Sequence, residues 1–423
     1  MQHRPLATLV IGALLLAGTS LPAQAQAQAP ARTLKIVPHA DLKILDPTFT
    51  TAYITRNFGY MVYDTLFAQD ATGKPQPQMV EKYTSSKDGK QWSFTLRPGL
   101  KFSDGNAVTA ADAVASLQRW GARDSLGRSM GEAGAEWKVV DARTFTLTLQ
   151  QPFGLVLEAL AKPSGFPPVI LPERLAKQPA TAPLNEVVGS GPYLFKRDEW
   201  VPGNKAVFVR NPNYTGRREA PSGLAGNKTS HFDRIEWLYL PDANSAVAAL
   251  KRGEVDLIEQ LPPDYITPLR ADNSLKVGSG GTYQGMLVMN QLHPPFNNPK
   301  VRQALLQAVS QERFTAAMGF PLDMRMNYCA TFFICGSPND TAAGAEPFRK
   351  PDVAKAKQML AASGYKGEKV VLLVPTDITA LNAEALMAAQ TMRSIGINVD
   401  MQNMDWASIG ARRAKRDAPD AGG

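Results

Sequence analysis

The sequence predicts an α/β protein in two lobes, a mixed α+β first lobe at 32–281 and a second lobe at 282–423. Three observations predict it. Residues 92–120 read as strand, turn, strand, turn and capped helix. Up to residue 258 the chain mixes sheet hairpins with a few helices. Beyond residue 298 helices and strands alternate, the pattern of parallel β-α-β units. The 423 residues allow two or more domains and a sizeable core.

Taken in order, the first 29 residues are a targeting segment. Arg4 supplies a positive start, and residues 7–17 form an apolar core too short to span a bilayer. Ala23-Gln24-Ala25 and Ala25-Gln26-Ala27 are small-x-small sites. A signal peptide over 1–27 is expected, cut after Ala25 or Ala27. It holds no cysteine, so no lipid anchor is expected. The mature protein should be exported and soluble.

Residues 33–37 read as a strand and 53–67 as a helix, with Ile54, Phe58, Met61 and Val62 on one face. In the 92–120 stretch Trp92, Phe94 and Leu96 alternate with Ser93, Thr95 and Arg97, the period of a half-buried strand. Thr109 precedes Asp112 by three residues, a loose capping box, and Ala110, Val114 and Leu117 follow at helical spacing. A hairpin is expected around Asp141-Ala142. Residues 152–183 are proline-rich and irregular. Gly189 and Gly191 enter a strand through a tight turn, where glycine is expected to supply unusual backbone angles. No helix start or Lys-Ser/Thr follows, which excludes a phosphate loop.

Residues 232–240 read as a strand, and Asp242 as the cap of a helix over 243–252 that Gly253 ends. Residues 255–258 return as a strand. Residues 282–290 read as an apolar strand beside the lobe boundary. Asn298 and Pro299 open a helix whose buried stripe is Val301, Ala304, Leu305, Ala308 and Val309. Helices at 351–363, 381–394 and 406–416 alternate with strands at 369–374 and 397–401.

Composition narrows function by exclusion. Hydrophobic content of 44% and charged content of 20% are ordinary for a soluble globular protein. The net charge of +8 speaks to solubility and association, not to fold. Lys and Arg are not clustered on one element among aromatics, and the one dense run, 412–416, reads as an exposed face. Nucleic acid is therefore not an expected partner. Cys329 and Cys335 are close, which suggests a disulfide in an exported protein, worth about 2 kcal/mol for so small a ring. Two buried thiols are the alternative. The four histidines are scattered, so no metal site and no cofactor are expected.

Several blocks together resemble the family 5 extracellular solute-binding proteins of ABC importers. They are Glu81-Lys82-Tyr83 through Trp120, Val188-Gly189-Ser190-Gly191-Pro192-Tyr193, Arg210-Asn211-Pro212-Asn213-Tyr214, Ala248 to Asp256, Asn290 with Pro295 to Leu305, and Ala354 to Leu360 ending at Gly364-Tyr365. The resemblance covers essentially the whole mature chain. It implies the two-lobe periplasmic-binding-protein fold, with a hinge and with ligand captured between the closing lobes. It implies a periplasmic, monomeric receptor that binds a peptide or similar small polar solute and passes it to ABC importer permease subunits.

There are two departures from the family pattern. Relatives continue beyond residue 423, so the second lobe is expected to be incomplete, without the aspartate that pairs with a peptide's amino group. The loop 375–380 carries no arginine for a dipeptide carboxylate; its Asp377 would favour a cationic or hydroxyl-bearing group.

Candidate ligand contacts are Tyr53, Thr376, Asp377 and Phe332. Each has a structural alternative. Tyr53 could line the core, Thr376 and Asp377 could cap the helix near Leu381, and Phe332, with Tyr328 and Phe333, could pack in a core. Trp406 reads as buried support. No catalytic residue is expected, since neither G-x-S-x-G nor H-E-x-x-H occurs. A secreted hydrolase, a shortened chain that no longer binds and a nickel or metal-chelate receptor stand as alternatives.

Overall fold

The computed structural model describes residues 32–280, 284–326, 328–337, 339–412, 415 and 417–422. The expected signal peptide lies outside them, as do residues 282 and 283 of the expected strand and 413, 414 and 416 of the basic run. The chain divides into two compact units. The first is Met1–Tyr239, described from residue 32, with Arg252–Leu257; the second is Leu240–Lys251 with Ile258–Gly423.

The first unit contains β1 Thr33–Val37, α1 Tyr53–Val62, β2 Phe67–Gln69, β3 Pro75–Pro77, β4 Val80–Ser85 and β5 Gln91–Leu96. Next come α2 Ala110–Gly121, α3 Ser125–Glu132, β6 Glu136–Val139, β7 Thr144–Thr148, α4 Val156–Leu160 and α5 Glu173–Ala176. It closes with β8 Tyr193–Phe195, β9 Lys205–Arg210 and β10 Arg234–Leu238, and β11 Leu257–Ile258 follows at the division. One sheet runs β4-β5-β7-β6 and a second runs β11-β1-β10-β9-β8.

The alternation in β5 has the expected consequence. Phe94 and Leu96 are fully buried, and Phe94 stacks on Phe145 of β7 with ring centroids 5.3 Å apart. The hairpin around Asp141-Ala142 forms, with Val139 paired to Phe145. Thr109 and Asp112 form the full capping box at the start of α2, which then buries Ala110, Val114 and Leu117. The second strand expected inside 92–120 is reduced to a single bridge between Lys101 and Ala107.

Two further expectations in this unit are corrected. The helix at 53–67 stops at Val62, because Tyr63 is extended. The backbone there meets the 189–191 turn, and Gly191 N–H donates to the Val62 carbonyl at 3.0 Å. The glycines of that turn do not have positive φ. They are needed for close approach: a Cβ on Gly189 would stand 1.8 Å from the Val62 carbonyl oxygen, and one on Gly191 2.6 Å from its carbonyl carbon. A buried ion pair ties this unit together. Arg119 Nη2 meets Asp46 Oδ2 at 2.8 Å, and the same carboxylate accepts from Thr48 and from the Leu184 N–H.

The second unit contains α6 Ala243–Lys251, α7 Pro263–Arg270, α8 Pro299–Ala308, α9 Gln311–Ala317 and α10 Val353–Ala362. Then come β12 Lys369–Pro375, α11 Thr379–Ile395, β13 Asn398–Met404 and α12 Trp406–Arg412. Asp242 caps α6 by accepting the Ser245 N–H at 2.8 Å. The expected β-α-β unit is present: β12 and β13 are parallel over seven residue pairs, with α11 between them in the chain. Residues 284–290 form no strand. Their burial still alternates, with Leu287 and Met289 packed on the core and Met286 and Val288 exposed. The period of a strand is there, but no ladder partner is among the described residues.

Candidate functional site

In the first unit the expected ligand residue Tyr53 opens α1 and is 55% exposed, so it does not line the core. One turn on, Arg56 lays its guanidinium 4.3 Å from the centroid of the Tyr53 ring. Arg56 Nε and Nη2 donate to Asn57 Oδ1 at 3.1 and 2.8 Å, and Nη1 donates to Ser164 Oγ at 3.3 Å. The side chain is half-buried.

Ser164 belongs to a loop held from several sides. Tyr60 donates its hydroxyl to the Pro163 carbonyl at 3.2 Å, and burial pushes that hydroxyl's pKa up. Trp120 Nε1 donates to the Phe166 carbonyl at 2.7 Å. Lys162, just before the loop, pairs with buried Asp124. Phe166 has φ +54°, a left-handed conformation that is strained for a bulky residue. Arg123 lies over both the Phe49 and Phe166 rings, 5.3 and 5.7 Å from their centroids, and donates to the Phe49 carbonyl. Sequence reasoning missed Arg56, Arg123 and Phe166. The i, i+3 spacing of Tyr53 and Arg56 was a visible signal; the contact with Ser164, 108 positions away, was not.

In the second unit Thr376 and Asp377 follow β12, at a strand end where open α/β sheets place ligands. Both are exposed. The Thr376 N–H donates to the Met404 carbonyl. Asp377 Oδ1 accepts the Trp406 N–H at 2.9 Å. The expected cap role is therefore real but belongs to another helix: α11 has no side-chain cap, and Asp377 satisfies the first N–H of α12. Trp406 is 37% exposed and opens that helix, which corrects its reading as buried support.

The cysteines form the disulfide Cys329–Cys335. Phe332, within the ring it closes, is 81% exposed, with Phe333 at 45% and Tyr328 at 41%. Core packing does not account for them. Phe332 and Phe333 meet edge to face at 5.5 Å, and Gln284 Nε2 donates to the Phe332 carbonyl at 2.8 Å. Tyr53 thus stands in the first unit, and Thr376, Asp377 and Phe332 in the second. The structure brings Asp377 to Trp406 and Phe332 to Gln284.

The family model of bacterial extracellular solute-binding proteins, family 5, matches residues 74–421. The chain belongs to this family. A probable peptide ABC transporter periplasmic-binding protein of Sinorhizobium fredii is 37% identical over 416 residues, covering 96% of this chain and 77% of that protein. The glutathione-binding protein GsiB of Salmonella typhimurium is 28% identical over 383 residues, covering 89% and 70%. Among solved structures, the PBP AgaA of A. tumefaciens, in complex with agropinic acid, is similar at 25% identity with a TM-score of 0.69, over 90% of this chain and 74% of that one. A dipeptide binding protein from Pseudoalteromonas, in complex with Met-Leu, has the same fold, with a TM-score of 0.70 at 21% identity over 90% and 77%. By their names these relatives are binding proteins.

Proposed function

We propose that this protein is the periplasmic receptor of an ABC importer, capturing peptides or similar small polar solutes by the two-lobe closure that the family implies. It delivers them to the importer's permease subunits, acts as a monomer without lipid anchor and catalyses no reaction. A signal peptide at 1–27 directs export. The single observation that carries this reading is the 37% identity to a probable peptide-transporter binding protein across nearly the whole chain. Tyr53, Thr376, Asp377 and Phe332 are the proposed ligand contacts, supported by their exposure at a helix start, after a strand end and within the disulfide loop. Asp377 can meet a cationic or hydroxyl-bearing ligand group while keeping its bond to Trp406, because a carboxylate has further acceptor sites.

The test is a thermal melt of the purified mature protein against peptide pools, followed by mass spectrometry of what co-elutes. A ligand that binds only the folded chain raises Tm with concentration. The expected result is such a rise, with the recovered peptide unchanged in mass. Cleaved peptide would overturn the receptor reading in favour of a hydrolase.

A further inference from the structure

Arg56 is built like a ligand grip. Three of its N–H groups meet the neutral acceptors Asn57 Oδ1 and Ser164 Oγ, and its face lies on the Tyr53 ring. No carboxylate among the described residues pairs with it. Several arginines of the same unit do have carboxylates: Arg119 has Asp46, Arg217 has Glu219 and Arg234 has Glu199. Arg97 and Arg123 instead spend their N–H groups on backbone carbonyls, whereas Arg56 meets side-chain oxygens only. A half-buried guanidinium with only neutral neighbours retains its charge for an incoming anion, and a planar fork favours a carboxylate. One N–H on each terminal nitrogen is left for ligand oxygens.

Rigidity adds to the argument. Arg56 stands on α1, where Phe58 and Val62 are fully buried. Its hydroxyl partner Ser164 lies in the loop that Tyr60 and Trp120 hold and that contains the strained Phe166. A strained loop held this firmly, beside a guanidinium with no carboxylate among the described residues, is a pattern of ligand sites. The site is therefore organised before ligand arrives, which lowers the entropy cost of binding.

We infer that Arg56, on the Tyr53 ring and held by Ser164, binds a carboxylate of the transported solute. The carrier of that carboxylate rests on the receptor reading above; the carboxylate itself does not. It can come from a peptide's C-terminus, an acidic side chain or a sugar acid.

The experiment compares matched acid and amide probes by calorimetry and thermal melt. The pairs are tri-alanine and its amide, Ala-Glu-Ala-amide and Ala-Gln-Ala-amide, and gluconate and gluconamide. Wild type should prefer the acid of at least one pair by roughly tenfold to a hundredfold, the worth of a charge-assisted hydrogen bond. Arg56→Gln should bring that preference to within about threefold, while ligand-free Tm falls only modestly, because the bonds lost are to neutral, part-buried partners. Ser164→Ala, a milder change, should lower the preference without abolishing it and covers the case in which Arg56→Gln folds poorly.

A preference confined to one peptide pair names the C-terminus or the side chain as the source. Acid preference confined to gluconate and lost in Arg56→Gln sustains the inference while overturning the peptide reading. Peptide binding with no acid preference, or with a preference that both Arg56→Gln and Ser164→Ala keep, overturns the inference and leaves the peptide reading standing. Absence of any shift with every pair overturns the inference.

Discussion

Arg56 on a helix of the first unit and Asp377 on a turn of the second are both charged groups, but their local bonds differ in kind. Asp377 gives an oxygen to the Trp406 N–H and so completes the start of a helix. Arg56 meets two neutral oxygens and a ring. The carboxylate has a structural task that would exist without ligand, whereas the guanidinium has no ionic partner among the described residues. The supports differ too. α1 lies on a continuous core of large side chains that includes Phe58, Phe94 and Trp120. The 376–377 turn follows a two-stranded sheet whose core clusters are small. Function read from charge alone would rank the two residues equally; their partners separate them.

The largest expected effect attacks the support of the first region. Asp46→Ala strips the carboxylate from buried Arg119 and from the Leu184 N–H, leaving an uncompensated buried charge. It should cost about 3–5 kcal/mol, read as a lowered urea midpoint. A loss under about 1 kcal/mol would mean that Arg119 finds water, and the rigid support ascribed to α1 would fail.

Smaller is the effect of opening Cys329–Cys335. The paired Cys329→Ser and Cys335→Ser variant should lose at most about 2 kcal/mol and should weaken binding only if Phe332 contacts ligand. Unchanged affinity in that variant would remove Phe332 from the proposed contacts.

Asp377→Ala should cost about 1 kcal/mol through the lost cap, and Asp377→Asn clearly less, since an amide oxygen can still accept the Trp406 N–H. Equal affinity for peptide in wild type and Asp377→Asn would leave Asp377 a structural residue. A drop in Asp377→Asn with little loss of stability would show its charge at work on ligand.

The smallest expected change is in stability on Tyr53→Ala. With the ring 55% exposed, the melt should move by less than about 0.5 kcal/mol. A larger loss would make Tyr53 a structural group and erase the contrast drawn for its region.

Much of the fold was legible because its signals are local. The capping box of Thr109 and Asp112, the alternation in β5, the Asp242 cap and the β12-α11-β13 order all depend on neighbours in sequence. Misreadings occurred where distant backbone decided the outcome. The helix from Tyr53 stops early because Val62 and Tyr63 meet the 189–191 turn. The glycines of that turn are required by crowding rather than by φ. Residues 284–290 have a strand's period but no ladder partner among the described residues. At the candidate site Asp377 was visible as a charge at a strand end, but the helix it caps was not the adjacent one.

The sequence by itself determined the family, the alternation of elements and the starts of several helices, because periodicity and caps act over a few residues. It also presented Tyr53, Thr376, Asp377 and Phe332 as candidates. Tertiary structure alone decided which charges are already satisfied. Arg119 has a buried carboxylate 73 positions away, Asp377 has an N–H 29 positions away, and Arg56 has only neutral partners among the described residues. Charge compensation is a property of space, and a chain read in one dimension does not contain it.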